Sequence, residues 1–484
     1  MFRRTALIAF FAVLVPMTAV RAERPLVTEA MRPFVSEDAP VIALIHARVI
    51  DGTGAPAREG RTLILRDGNI EAVGNDGEVA IPAGAKVIDL TGKTVLPGLV
   101  HLHEHLWMFG GNAVLGVSDS YPRLYLAAGV TSIRTAGSYN PYVDLRARDR
   151  IEKGEAVGPW MDLSIYLDLF GAPRLADAES TRKYLDFWLD SGFTSVKAYG
   201  YTNHVALEAA IGLAHARGAK VTGHLCMVSY REAADLGIDD IEHGFAMVPD
   251  FVSAQSARKT VPAGTVDVKA ERECGERALT GLAKVDPRGR EARAVIDMLV
   301  ARKVAVTSTL PALEDLVSDI PPQTGIDMLA PPIQDYHRAY RARMGSPAGG
   351  ELILSGESLR KSAVMEREFM KAGGLLVAGT DPAVPSAGVV AGYSNARQLE
   401  LMVEFGFTPL EAIRVSTLNG AIYLGRDQRI GSIAPNKQAD LLVVSGDPSK
   451  TISDIRNVVV VFKQGIGYDP AKLRDSVRGK VGLM

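Results

Sequence analysis

The stretch Pro97-Gly98-Leu99-Val100-His101-Leu102-His103-Glu104-His105 combines an apolar, strand-like segment with histidines at alternate positions. Because alternate side chains of a strand project from the same face, His101, His103 and His105 are expected to point the same way if the strand is regular. Clusters of imidazoles suit zinc and related ions. A polar strand end or an adventitious metal site is the alternative reading, so the rest of the sequence has to decide between them.

The region from Thr94 to Gly425 alternates strand-like and helix-like segments, which is typical of parallel βα units. The candidate strands are Leu99-His105, Thr131-Thr135, Met161-Leu167, Ser195-Tyr199, Lys220-His224, Asp240-His243, Ala305-Leu310 and Leu375-Thr380. Eight parallel strands with helices between them are the number that a closed barrel requires. We therefore predict an α/β fold whose main domain is a (β/α)8 TIM barrel over residues 94–425.

Shorter strand-like runs separated by turn signals lie near both chain ends, over residues 41–93 and 426–468. We predict that these two segments form one composite β-sandwich domain. Inside the barrel region, the connections Gly244-Lys303 and Pro311-Gly374 are long. Long loops after barrel strands surround the mouth of the barrel, so these two are expected to shape the substrate pocket.

Polar residues that can bind a metal lie at the ends of four later strands of the predicted barrel. They are Lys197, His224, His243 and Asp381. Any one of them alone is better explained as a structural residue. Their common depth, at the strand ends where barrels carry catalytic groups, instead indicates one shared site with the histidines of the first strand.

Together these motifs resemble the amidohydrolase superfamily, in particular its imidazolonepropionase-like and prolidase-like branch. The resemblance runs from about Ile42 to Gly465. Its carriers are Pro97-Gly98-Leu99, His103-Glu104-His105, Ser195-Val196-Lys197, Gly223-His224, Ile241-Glu242-His243-Gly244, Ala378-Gly379-Thr380-Asp381-Pro382, Gly431-Ser432-Ile433 and Ala439-Asp440-Leu441.

The resemblance implies a metal-dependent hydrolase that cleaves an amide or peptide-like C–N bond. The substrate would be a small molecule such as a dipeptide, an N-acyl amino acid or a cyclic amide. A lactone or a carbamate is the alternative substrate, and a non-catalytic periplasmic protein that binds a metal or ligand is the alternative function. The presence of Asp381 disfavours that last alternative, because binding alone needs no proton shuttle.

The resemblance also implies a site with two Zn2+ ions per chain. Its ligands would be His103, His105, Lys197, His224, His243 and Asp381. The two earlier histidines would hold one ion with Asp381, and the two later ones would hold the other. Lys197, carboxylated by CO2, would bridge the ions, because an amine cannot bridge two cations. A water activated by both ions would be the nucleophile, and Asp381 would accept its proton and pass it to the leaving group.

Several further residues are candidates for the substrate pocket or for support of the ligands. His101 stands where the family usually carries aspartate, and we expect it to support the ligands, with a substitute ligand or a substrate contact as the alternatives. Trp107 and Tyr199 each lie two residues beyond a predicted ligand, and His337 lies in a long predicted loop. Simple packing is the alternative for each of them. The segment Ala198-Tyr199-Gly200-Tyr201 replaces a Gly-Gly-rich stretch of the family's prolidases, which weakens the case for an Xaa-Pro substrate.

The composition and the amino terminus limit the classes of partner and the cellular location that we expect. A net charge of −2, with 47% hydrophobic and 23% charged residues, offers no basic excess for nucleic acid. Residues 1–22 read as a cleaved signal peptide, with Arg3-Arg4, a short apolar run and a cut site at Val20-Arg21-Ala22. We therefore expect a periplasmic or secreted protein without a stable membrane anchor. Its partner would be a small-molecule substrate, and a homo-oligomer is compatible with the sequence.

The chain has two cysteines, Cys226 and Cys274, which could pair after export. Two cysteines do not make a disulfide framework, so the stability of the fold must come from its core.

Overall fold

The structure is a computed structural model that describes residues 24–111, 113–167, 175, 177–251, 268–317, 324–344 and 354–483. The predicted signal peptide, residues 1–22, lies outside the described residues. Within these ranges, no helix combines the length and the apolar character that a membrane span needs. Cys226 is disulfide-bonded.

Six strands precede the histidine motif and belong to a sheet that the two chain ends share. They are β1 (Val35–Glu37), β2 (Val41–Val49), β3 (Arg58–Arg66), β4 (Asn69–Asn75), β5 (Lys86–Asp89) and β6 (Lys93–Pro97). The pairing of β2 with β3 shifts between Leu44 and Ala47, where His46 has a φ of 56°. This bulge bends β2 at His46.

The middle of the chain carries short parallel strands and one antiparallel hairpin. In chain order these are β7 (Leu99–Glu104), β8 (Trp107–Gly110), β9 (Ala113–Gly116), β10 (Val130–Thr135), β11 (Trp160–Asp162), β12 (Ser164–Tyr166), β13 (Ser195–Ala198), β14 (Lys220–Gly223), β15 (Asp240–Glu242), β16 (Ala305–Ser308) and β17 (Leu376–Ala378). The parallel strands form two sheets with the orders β11-β10-β7 and β12-β13-β14-β15-β16-β17, and β8 pairs with β9. Every candidate strand of the barrel region therefore has a counterpart, although the third is split into β11 and β12.

Hydrogen bonds also join the two parallel sheets to each other. The amides of Thr380 and Asp381, just beyond β17, donate to the carbonyl of His103 on β7 at 3.1 and 3.0 Å. At the other edge, Ser138 pairs with Ile165 of β12. The ends of β7 and β17 are thus held next to each other, which brings the first and last parts of the predicted site together.

Helices connect most of the parallel strands and cover them. The α-helices are α1 (Tyr121–Ala127), α2 (Pro141–Glu152), α3 (Ala178–Asp190), α4 (His204–Ala216), α5 (Tyr230–Leu236), α6 (Val268–Lys284), α7 (Arg290–Ala301), α8 (Leu310–Asp315), α9 (Pro331–Met344), α10 (Gly356–Lys371), α11 (Tyr393–Glu404), α12 (Pro409–Arg414), α13 (Gly420–Tyr423) and α14 (Pro470–Val477). The long connections predicted between the later strands therefore contain helices α6 to α10.

Local sequence explains the short link between β14 and β15. Ser229 and Glu232 form a reciprocal capping box at the start of α5, and Gly237, with a φ of 94°, ends the helix. The two-turn helix returns the chain at once to the neighbouring parallel strand. His224 and His243, which follow these two strands, are brought side by side as a result.

The sheet at the chain ends is completed by β18 (Leu441–Ser445), β19 (Val458–Lys463) and β20 (Ile466–Tyr468). Its strand order is β1-β20-β19-β18-β6-β2-β3-β4, with β5 also paired to β2. The valine-rich β19 has the β-branched composition that strands favour. Strand β6 leads through Gly98 directly into β7, and a Cβ at position 98 would overlap the side chain of Thr131. This sheet therefore anchors the start of the histidine strand.

Candidate metal centre

The histidine strand β7 is not regular, which corrects the expectation of one shared face. Its pairing with β10 shifts between Ile133↔His101 and Thr135↔Glu104, so three steps on β7 match two on β10. His101 is fully buried, and its Nδ1 lies 2.8 Å from Asn395 Nδ2 and 3.3 Å from Glu104 Oε1. The structure therefore places His101 with Glu104 and helix α11, and it brings only the other two histidines of the motif to Asp381.

His103 and His105 both turn Nε2 towards one oxygen of Asp381. The distances from these nitrogens to Asp381 Oδ1 are 3.6 and 3.1 Å. The opposite nitrogens have their own partners, since His103 Nδ1 lies 2.7 Å from Glu242 Oε2 and His105 Nδ1 lies 3.3 Å from the carbonyl oxygen of Gly137. An ionised carboxylate and a carbonyl can only accept, so Nδ1 is the donating nitrogen of each ring.

The two later histidines lie against the same cluster. The ring centre of His243 is 4.7 Å from that of His103 and 4.6 Å from that of His224. His243 Nδ1 is 2.9 Å from Thr309 Oγ1. One potential ligand atom each from His103, His243 and Asp381 lie within 4.8 Å of one another. The histidines predicted from separate strand ends thus meet around one carboxylate.

Lys197 is fully buried next to the histidine cluster. Its Nζ is 3.4 Å from Glu242 Oε1 and has no hydrogen-bond partner. Burial is the largest influence on this amine and lowers the pKa of Lys197, against the opposing charge of Glu242. The structure therefore brings all six predicted ligands together, with Lys197 joined to the cluster through Glu242.

Arg134, Asp240 and Glu242 form a buried ionic cluster that contacts the histidines through Glu242 and that we call the ionic floor. Arg134 donates from Nη1 to Asp240 Oδ2 at 2.9 Å and from Nη2 to Glu242 Oε1 at 2.8 Å. All three side chains are fully buried. Thr222 Oγ1 adds a donor 2.6 Å from Glu242 Oε1. Burying these charges is tolerable only because they are paired and hydrogen-bonded.

Glu242 is the residue of the site that sequence reasoning missed. It was treated as part of a motif around His243, although it links His103, Lys197 and Arg134. Asp240 and Glu242 flank Ile241 at alternate positions of a strand that is otherwise apolar. Two carboxylates on one face of a buried strand were a signal that a cation must lie opposite.

Two of the predicted ligands have a strained backbone. His243 and Asp381 have φ values of 64° and 51°, in the left-handed region that L residues seldom adopt. Thr380 helps to hold Asp381 there, because its Oγ1 donates to Glu104 Oε2 at 2.7 Å and both backbone amides donate to His103. Such strain persists where the surroundings fix it, and it is enriched at functional sites.

Most protonation states of the cluster suit metal binding, whereas the charges of Glu242 and Asp381 outweigh burial and raise the pKa of His103. Burial lowers the pKa of His224 to about 3 and also lowers the pKa values of His105 and His243. Burial alone would raise the pKa of Asp381, but the charges and hydrogen bonds of His103 and His105 outweigh it and hold that pKa well below its usual range. Neutral imidazoles and an ionised carboxylate are the forms that bind divalent cations.

Aromatic side chains form a wall beside the histidines. The aromatic wall consists of Trp107, Phe109, Tyr139, Tyr166 and Tyr199. The ring centre of Trp107 is 4.7 Å from His105, and that of Tyr199 is 4.8 Å from His224. Trp107 and Tyr199 thus lie beside the histidines, and their role in a substrate pocket stays a prediction.

His337 lies on helix α9, which corrects its placement in a loop. It is buried, and its Nδ1 is 2.9 Å from the carbonyl oxygen of Ser386. Ser386 in turn donates its hydroxyl to Asp315. The structure therefore places His337 against the segment that follows Asp381, outside the histidine cluster.

Comparison with known proteins identifies the relatives of this architecture. The profile of the amidohydrolase family matches residues 337–467. Imidazolonepropionase from Geobacillus sp. (strain WCH70) is 25% identical over 405 residues, covering 80% of this chain and 84% of that protein. Imidazolonepropionase from Chromobacterium violaceum is 48% identical over 62 residues, which are 12% of this chain and only 15% of that protein.

Solved structures share the fold at lower identity. A candidate prolidase from Bifidobacterium longum is 23% identical with a TM-score of 0.63. The match covers 92% of this chain and 100% of the prolidase chain. An Xaa-Pro dipeptidase with bound methionine is 20% identical with a TM-score of 0.63, covering 89% of this chain and 100% of its own. The chain is thus similar to amidohydrolases in sequence over residues 337–467 and in fold over most of its length.

Proposed function

We propose that this protein hydrolyses an amide or peptide-like C–N bond of a small molecule at two divalent ions, most suitably zinc. The observation that carries the proposal is the convergence of histidines from separate strands on Asp381, whose Oδ1 lies 3.1 Å from His105 Nε2. The parallel strands would form one closed (β/α)8 barrel with the site at its mouth. The hydrogen bonds from Thr380 and Asp381 to His103 support that closure.

The chemistry of the donors fits a cation between His105 and Asp381. His105 uses Nδ1–H on the carbonyl of Gly137, and burial lowers its pKa. In its neutral form, His105 would therefore offer the Nε2 lone pair to a carboxylate oxygen 3.1 Å away. Two electron donors this close repel each other unless a cation lies between them. His103, His105 and Asp381 would hold the first ion.

Lys197 fits the bridging role in its carboxylated form. A buried ammonium ion that makes no hydrogen bond is costly, and the Nζ of Lys197 makes none, with Glu242 Oε1 at 3.4 Å. The lowered pKa favours the neutral amine that reacts with CO2. The Nζ attacks the carbon of CO2 and releases one proton to water, which leaves a carbamate whose single negative charge is shared by two oxygens. His224 and His243 would hold the second ion with that carbamate.

When bound, the ions would lower the pKa of a water molecule and polarise the scissile carbonyl. Asp381 is the carboxylate placed to move the proton, because its side chain is 19% exposed whereas that of Glu242 is fully buried. Asp381 would take a proton from the water and deliver it to the leaving nitrogen. Glu242 and the carbonyl of Gly137 would hold His103 and His105 in the Nδ1–H form.

Activity on a defined panel tests the proposed reaction. Zinc-loaded protein should release free amine from at least one class among dipeptides, N-acyl amino acids and cyclic amides, measured by amine-specific derivatisation. Treatment with a chelator should remove the activity, and added zinc should restore it. A fully metal-loaded protein that releases no amine from any member of the panel would contradict the proposal.

We also propose that the protein is exported. The sequence of residues 1–22 and the disulfide at Cys226 support this location, because disulfides persist in oxidising compartments. The mature chain should begin at Glu23. Amino-terminal sequencing of the protein from fractionated cells tests this start, and a cytosolic protein with an intact leader would contradict it.

A further inference from the structure

The aromatic wall runs alongside both pairs of candidate ligand histidines. Trp107 contacts His105 at one end, and Tyr199 contacts His224 at the other. Tyr166 joins the two ends, since it packs with Trp107 and its ring centre is 6.0 Å from that of Tyr199. Any group bound at the metals would therefore lie next to aromatic rings.

Backbone features fix the position of the wall relative to the ligand histidines. The carbonyl oxygen of Gly137 accepts a hydrogen bond from Trp107 Nε1 at 3.1 Å and also lies 3.3 Å from His105 Nδ1. A side chain at position 137, where φ is 117°, would overlap the ring of Tyr166. One glycine thus fixes a ligand and two wall residues relative to one another.

The wall is separate from the main core and is partly open. Trp107, Tyr166 and Ala383 form a small apolar cluster of their own, with Phe109 and Tyr199 packed against it and only partly buried. Tyr139, whose ring centre is 5.8 Å from that of Trp107, is 44% exposed. Ligand pockets typically combine such apolar surfaces with a few polar groups that fix orientation.

We propose that the aromatic wall is a subsite for a planar ring carried by the substrate close to the scissile C–N bond. This inference rests on the proposed function, because it names the substrate class of the same site. Aromatic rings gain from offset or edge-on contacts at centre distances of about 4.5–7 Å, beyond the burial of their surface. Because wall residues contact His105 and His224 directly, a substrate ring bound against the wall lies only a few bonds from the reacting carbonyl.

Binding of matched probes to the zinc-loaded protein tests the subsite without requiring turnover. The probes are N-acetyl-L-phenylalanine, N-benzoyl-L-alanine and, as the ring-free reference, N-acetyl-L-alanine. Isothermal titration calorimetry should show at least one ring-bearing probe binding about tenfold more tightly than the reference, a difference of about 1.4 kcal/mol. Equal affinities, or no measurable binding of either ring-bearing probe, would overturn the subsite.

Two wall variants and one control locate the preference. Tyr139→Leu removes an exposed ring that contacts Trp107 and carries little folding risk, and Trp107→Leu removes the centre of the wall. Both should reduce the ring preference at least about threefold. Phe187→Leu, at an aromatic residue of α3 that is 52% exposed and packs on Trp188, should leave it unchanged. A preference that survives in both wall variants would overturn the subsite.

Amine release measured on the same samples separates this inference from the proposed reaction. Hydrolysis of all three probes with equal kcat/KM would remove the subsite and leave the hydrolase intact. A wall-dependent ring preference in binding without any hydrolysis would keep the subsite and count against the proposed reaction.

Discussion

The ionic floor and the aromatic wall contact the same histidines with opposite chemistry. The floor is fully buried and its charges are paired, as in the bonds from Arg134 to Asp240 and Glu242 at 2.9 and 2.8 Å. The wall is apolar and partly open, with Tyr139 44% exposed. The difference indicates separate tasks, because the floor fixes ligand geometry while the wall faces what binds. Changes in the floor should therefore lower stability and metal content, and changes in the wall should alter substrate choice.

Removing Glu242 should produce the largest effect on stability. Glu242→Ala removes the acceptor of Arg134 Nη2 and of His103 Nδ1, and breaking a buried ion pair typically costs about 3–5 kcal/mol. Urea unfolding should show this loss, and metal analysis should show lost zinc. Glu242→Gln, which keeps the shape and one acceptor oxygen, should lose less of both. A Glu242→Ala protein with normal stability and full zinc would remove the distinction between floor and wall.

Replacing the predicted proton shuttle should separate catalysis from binding. Asp381→Asn keeps an oxygen that can contact a metal but removes the basicity, so kcat should fall at least about 10²-fold. Probe binding should change far less. His224→Ala and His243→Ala should lose activity mainly through lost metal, with partial recovery at higher zinc. Near-normal kcat in Asp381→Asn would remove Asp381 from the proton transfer.

The bond between Thr380 and Glu104 offers a test of positioning through a matched pair of variants. Thr380→Val removes the hydroxyl that donates to Glu104 Oε2 at 2.7 Å and leaves a buried acceptor unpaired, at a cost of about 1–3 kcal/mol. Because Thr380 helps to hold Asp381 in its strained conformation, kcat should fall about tenfold with little change in KM. Thr380→Ser keeps the hydroxyl and should restore kcat. Equal kcat in both variants would show that this bond does not position Asp381.

A buried carboxyl outside the floor shows what pairing with a cation contributes. The pKa of Glu242 is held well below its usual range, because the charges of Lys197, His103 and Arg134 outweigh burial. Glu366 accepts a hydrogen bond from Ser308 Oγ at 2.7 Å, and burial raises its pKa from 4.5 to about 8. Between pH 4.5 and about pH 8, Glu366 therefore keeps its proton in the native state and loses it in the unfolded state.

The free energy of unfolding should consequently fall as pH rises through this window. Glu366 contributes up to about 1.4 kcal/mol to this fall for each pH unit. Glu366→Gln cannot ionise and should flatten that slope between pH 5 and pH 8. Urea unfolding of both proteins across the window measures it. An unchanged slope would mean that Glu366 is ionised in the folded protein.

The strands and the meeting of the predicted ligands could be foreseen from local sequence, because strand periodicity and strand-end polarity are local signals. The irregular face of β7 could not, because its bulge depends on the pairing of His101 and Glu104 with β10. Glu242 was missed for a similar reason, since its partner His103 lies 139 residues away in the chain. The helical setting of His337 was hidden inside a connection that was treated as one loop.

Metal content and the state of Lys197 test the central claim most directly. A crystal structure of the zinc-loaded protein, with anomalous data at the zinc edge, should show two ions. One should lie at His103, His105 and Asp381 and the other at His224 and His243, with a carboxylated Lys197 between them. A single ion beside an unmodified Lys197 would contradict the two-ion site and leave only an enzyme with one metal.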